Sequence, residues 1–140
     1  MSAAEALKPK GKSSMTLGHA EAARPTYLKG RRDFFKYRDL NVAQASQGQL
    51  KAQVMSAAKG MTEPTGWHYH VCEGQFIYIL KGWVTLEFET GETLKLATGD
   101  SLFIPGGLRH NEIATSNDVE ILEVVTPGEM GTVPCEAPKR

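Results

Sequence analysis

The residues of this 140-residue chain whose types and spacing suit chemistry are His68, His70, Gln75 and His110, followed by the acid Glu123. Residues two apart on a strand leave the same face, so a strand through His68 and His70 sets two imidazoles side by side, able to chelate one metal. A tight hairpin centred on Glu73-Gly74 pairs Cys72 with Gln75, His70 with Ile77 and His68 with Ile79, which puts Gln75 on the histidine face. A longer loop moves Gln75 along its strand, and a one-residue slip turns it away. His110 follows Ile104-Pro105-Gly106-Gly107-Leu108-Arg109, a bend able to aim a third imidazole back at the first two. Imidazole suits zinc, copper, iron and nickel, and a catalytic metal needs one open position. A His-x-His pair alone is a weak signal; the pattern as a whole is stronger.

Positioning these groups takes rigid elements, and the chain reads as strands. Short segments rich in β-branched, aromatic and leucine residues run over 33–38, 50–57, 66–72, 75–80, 83–89, 93–97, 101–104 and 119–125, with a short further strand at 110–113. Lys59-Gly60, Glu73-Gly74, Lys81-Gly82, Thr90-Gly91, Gly99-Asp100, Gly106-Gly107 and Ser116-Asn117-Asp118 separate them, as turn formers do. Val84, Leu86 and Phe88 alternate with Thr85, Glu87 and Glu89, giving that strand one buried and one wet face. Residues 75–80 are apolar on both faces apart from Gln75, which calls for cover on both: a second sheet on one, an arm or subunit on the other. The expectation is an all-β fold over 31–128, with residues 1–30, which include Pro9 and Gly11, as a tail or covering arm and 129–140 as a tail.

One domain's worth of chain buries a single core. Its 16 basic and 16 acidic side chains cancel, leaving no net field to gather nucleic acid or anionic lipid. No apolar run approaches the roughly 20 residues that span a bilayer. The first residues lack the apolar stretch of a secretory signal, and two cysteines are too few for a disulfide framework, so a cytoplasmic location is expected.

Taken together, His68-x-His70, Gln75 and Gly82, then Gly99, Pro105-x-Gly107 and His110, resemble the two motifs of the cupin superfamily. The resemblance implies a jelly-roll barrel of two packed antiparallel sheets. It implies one divalent transition metal (zinc, nickel, iron or manganese) held by His68, His70, Gln75 and His110. The usual first-motif glutamate is Gln75 here, and the asparagine that often follows the second-motif histidine by four positions is Ala114. Three neutral imidazoles and a neutral amide leave the metal its full double charge, favouring an anionic ligand and a stronger Lewis acid, and stabilising oxidised iron less well.

Glu123-Val-Val-Thr-Pro127 is similar to the matching segment of small bacterial cupins that convert unsaturated uronates in pectin and alginate breakdown. An aspartate stands there in those proteins, which also use three histidines and a glutamine. The likeness makes Glu123 a catalytic general acid or base, although alternation alone does not decide whether Glu123 or Glu120 points inward. Trp67, Tyr69 and Tyr78 fall on the face away from the histidines. Arg109 is a candidate for gripping a substrate carboxylate, with a solvated side chain as the plainer reading, and Cys72 is a small buried residue or a further ligand.

Three functions compete. The first is a metal-dependent enzyme acting on a small anionic or sugar-derived substrate by Lewis-acid and acid-base catalysis. The second is a metal-dependent dioxygenase, and the third a non-catalytic cupin that binds a small molecule. Phe76, Tyr78 and Leu80 add the expectation of a homodimer.

Overall fold

Strand alternation sets the architecture. The computed structural model describes residues 14–30, 32–57, 61 and 63–139; Pro9, Gly11 and the Lys59-Gly60 turn signal lie outside them. In chain order the elements are β1 (Thr26–Leu28), β2 (Phe35–Asp39), the one-turn helix α1 (Val42–Ala45), β3 (Lys51–Ala57), β4 (His68–Val71), β5 (Gly74–Lys81), β6 (Trp83–Phe88), β7 (Thr93–Ala97), β8 (Ser101–Pro105), β9 (His110–Thr115), β10 (Glu120–Thr126) and β11 (Gly131–Pro134). Every strand expected from the sequence is present, its ends within two residues.

The strands form two antiparallel sheets, one of six in the order β1-β2-β3-β10-β5-β8 and one of five in the order β11-β4-β9-β6-β7. The fold is an all-β jelly roll. Period-two alternation turns Val84, Leu86 and Phe88 of one sheet toward Met55, Ile77, Ile79, Ile104 and Ile121 of the other, and these close the core. Two strands fall in segments expected as an arm and a tail: β1 pairs with β2, and β11 pairs with β4.

The tight hairpin expected at Glu73-Gly74 does not form. β4 lies in the five-stranded sheet beside β9 and β11, whereas β5 lies in the six-stranded sheet between β10 and β8. Residues 72–73 are therefore a corner between sheets. The Glu73 amide is taken by the Thr126 carbonyl at 2.8 Å, and Gly106 and Gly107 donate to the carbonyls of Glu73 and His70 at 3.1 and 2.9 Å. Turn residues mark a reversal without saying whether the next strand rejoins the same sheet.

Among the described residues, 75–80 are covered on one face only. Ile77 and Ile79 are buried beneath the second sheet, while Phe76, Tyr78 and Leu80 are 40%, 39% and 45% exposed, with Phe103 beside Phe76 at 61%.

The Pro105-Gly106-Gly107 bend separates two requirements for glycine. A Cβ on Gly106 would sit 1.7 Å from the Cys72 carbonyl oxygen, a backbone atom that cannot swing aside, whereas one on Gly107 would meet nothing within 4 Å but would need φ +81. Gly106→Ala should thus cost about 1–3 kcal/mol or more by overpacking, and Gly107→Ala about 1–2 kcal/mol through its left-handed backbone. Chemical denaturation of both variants checks the order; equal stabilities would contradict the close approach.

Candidate metal centre

β4 presents His68 and His70 to the interior, as their spacing requires, and both are buried. β9 begins with His110, directly across the ladder from His68 and 1% exposed. The ring centroids lie 4.5 Å apart for His68–His110, 5.0 Å for His70–His110 and 5.1 Å for His68–His70. One nitrogen from each ring falls within 4.8 Å of the other two, close enough to share an ion.

The surroundings of the rings fit a metal. His68 Nδ1 lies 2.7 Å from the Gly66 carbonyl and His110 Nδ1 lies 2.9 Å from the Leu108 carbonyl; both must donate, because a carbonyl only accepts. His70 Nδ1 lies 3.1 Å from the Thr132 hydroxyl on β11. With Nδ1 engaged outward in each ring, Nε2 is the nitrogen each can offer a cation, and outer partners of this kind fix ring orientation. Burial pushes the His110 imidazolium down below its usual range, against the opposing pull of the Leu108 carbonyl, which favours the neutral ring a metal needs. Gln75 adds a buried Oε1 with no hydrogen-bond partner among the described residues.

Gln75 reaches the site from the opposite sheet. On β5 it shares the inward parity of Ile77 and Ile79, and the β10 register puts Val125 beside Gln75 and Glu123 beside Ile77. Glu123 thus points inward and lines a cleft of about 320 Å³ together with His68, His70 and Gln75; Glu120 is absent from that lining. Gln75 Nε2 donates to Glu123 Oε2 at 3.1 Å, and Gln53 Nε2, from the paired position on β3, donates to the same oxygen at 3.3 Å. Burial pushes the Glu123 carboxyl up above the usual range, and those two amides and the Lys51 charge pull partly back.

Other candidates fall away from the cleft. The Arg109 guanidinium donates to Glu89 Oε2 at 3.2 and 3.1 Å, and its backbone amide donates to Glu89 Oε1 at 2.8 Å. The backbone bond leads in holding the Glu89 carboxyl below its usual range. Arg109 is thus committed within the protein and does not line the cleft. Cys72 is a half-buried free thiol at the intersheet corner, outside the histidine cluster, and burial pushes its pKa up.

A family model for the cupin domain matches residues 53–125, more than half of the chain. The chain belongs to the cupin family. No curated protein matches it by sequence. Among solved structures this cupin is similar to KdgF from Halomonas sp., with TM-score 0.65, 20% identity, and coverage of 80% of this chain and 94% of that one. It is also similar to the polyketide cyclase RemF from Streptomyces resistomycificus, with TM-score 0.68, 20% identity, and coverage of 88% and 90%. Pac13, a nucleoside dehydratase solved from Streptomyces with uridine, gives TM-score 0.61 at 11% identity, covering 86% of this chain and 94% of its own. At these identities the likeness is one of fold.

Sequence reasoning missed Gln53, Thr132 and Asn111 of this cupin. The parity of β3 carried a signal for the first: once Met55 faces inward, Gln53 must as well. Asn111, buried beside His110, accepts from the Gly66 amide at 2.9 Å and donates to Glu87 Oε1 at 2.9 Å. It holds the amide of Gly66, the residue whose carbonyl orients His68. Asn111→Ala should lower metal affinity by about 10–100-fold, as loss of an outer partner does. Competition with a chelating dye reads this, and unchanged affinity would deny Asn111 the positioning role.

Proposed function

We propose that this cupin is a metal-dependent enzyme that acts on a small anionic or sugar-derived substrate by Lewis-acid and acid-base catalysis. The observation that carries the proposal is a carboxylic acid, Glu123, lining the same cleft as His68 and His70 of the histidine cluster. His68, His70, His110 and Gln75 would hold one divalent transition metal. Bound there, such a metal supplies Lewis acidity toward a substrate oxygen.

The protein's own groups supply the remainder. Both amides donate to Glu123 Oε2, so Oε1 is the oxygen left to give or take a substrate proton. Gln53 and Gln75 hold the carboxyl from two strands, one on each side of β10. Ile77, Leu86 and Ile121 of the core line the space beneath the acid, together with the polar Glu112 and Thr115.

The proposal extends to assembly and location. Phe76, Tyr78, Leu80 and Phe103 expose a continuous apolar strip on the outer face of the six-stranded sheet, which a second copy would cover. No helix among the described residues is long and apolar enough to cross a membrane, and both cysteines are free thiols, in keeping with a cytoplasmic enzyme.

Elemental analysis of protein purified without chelator should find close to one metal per chain, lost in His110→Ala. Glu123→Gln should keep the metal and lose about 100-fold or more in turnover of unsaturated uronates or related keto sugars, as expected for a missing acid or base. Oxygen consumption with catechol, diketone or thiol substrates would move the assignment to a dioxygenase. Saturable binding without turnover would leave a binding module. Light scattering should give a dimer mass at micromolar concentration, and a monomer mass would remove the paired-sheet arrangement.

A further inference from the structure

The roles proposed above leave the cations of the cleft unused. Lys29, Arg32 and Lys51 all line it, against the two acids Glu112 and Glu123. Arg32 is anchored, because its Nη2 donates to the carbonyl of Thr65, just ahead of β4. Its Nε is shielded from water and has no hydrogen-bond partner among the described residues. A guanidinium stays charged at any working pH, and a shielded N–H without an acceptor costs free energy until something supplies one. Lys51 opens β3 two residues before Gln53, on the same inward parity, and its charge is felt at Glu123. Arg109, the sequence's own candidate for this task, is occupied by Glu89.

We propose that the cleft takes a substrate bearing a carboxylate, gripped by Arg32 and drawn in by the added positive charge of Lys51 and Lys29. The inference rests on reading the cleft as the site of a small anionic substrate, and it names the group that makes the substrate anionic. A carboxylate matches the planar guanidinium, and one such group needs no more donors than the anchored Arg32 can spare. The grip lies in the protein and is independent of the metal.

Calorimetry with glucuronate and glucose tests this, since the two share a ring and differ in carboxylate against hydroxymethyl. Wild-type protein should bind glucuronate at least about tenfold more tightly than glucose, the scale of a charge-assisted hydrogen bond. The preference should persist in protein stripped of metal by chelator and then desalted. Arg32→Gln, which keeps an N–H donor for the Thr65 carbonyl, should erase most of the preference, and Lys51→Met should reduce it, with melting curves confirming that both variants fold. Retention of the preference in Arg32→Gln, its loss on metal removal, or no binding of glucuronate would each overturn the proposal. Inorganic phosphate binding more tightly than glucuronate would also overturn it, in favour of a phosphate ester. A wild-type protein that contains no metal and still prefers glucuronate would sink the metal-enzyme reading alone, so the two failures are distinguishable.

Discussion

Burying three imidazoles against one another in an apolar core is costly unless each has a partner that fixes its orientation. The rest of this structure follows from meeting that demand. The Gly66 and Leu108 carbonyls and the Thr132 hydroxyl take the three Nδ1 atoms, and each belongs to a different piece of chain. Gly66 is held in turn by Asn111, Leu108 lies beyond the Pro105-Gly106-Gly107 bend, and Thr132 arrives on β11. The bend itself is pinned to the 70–73 corner by the close approach of Gly106 to Cys72. Loops and a short terminal strand that look dispensable in sequence thus set the aim of the histidines.

Much of this was legible in the chain because it is local. Alternation in Val84, Leu86 and Phe88 fixes a strand and its buried face, and His-x-His fixes two rings on one face wherever the strand goes. The partnership of strands is different. Glu73-Gly74 signals a reversal equally well for a hairpin and for a corner between sheets, and the corner was chosen by long-range pairing of β5 with β10 and of β4 with β9. Gln75 still faces the histidines, but across the barrel from the other sheet, not along a shared ladder.

The same reasoning separates the remaining acids and cations. Glu120 and Glu123 are equivalent to alternation on their own strand; the neighbours decide, since Glu123 sits across from Gln53 and Ile77 on inward rows. Neither Arg109 nor Arg32 carries a motif that assigns it to the cleft. Arg109 lies one residue from His110, and that neighbour points into the core, so period two sends Arg109 outward to Glu89. Arg32 stands just ahead of the first expected strand, where no alternation sets its direction, and only the packing of that segment over the cleft gives it a place there.

The glutamine at position 75 follows from the company it keeps. Its Nε2 lies 3.1 Å from Glu123 Oε2, so a glutamate at 75 would bring two carboxylates to the distance at which one must hold a proton. An amide avoids that conflict because its two ends differ: the nitrogen donates to the acid, and the oxygen remains an acceptor directed elsewhere. A carboxylate in the cleft wall and a neutral residue at 75 are therefore coupled choices. Exchanging Gln75 for glutamate would alter the charge of the histidine centre and the protonation of Glu123 together, and the resulting arrangement would suit a different division between acid-base and metal chemistry.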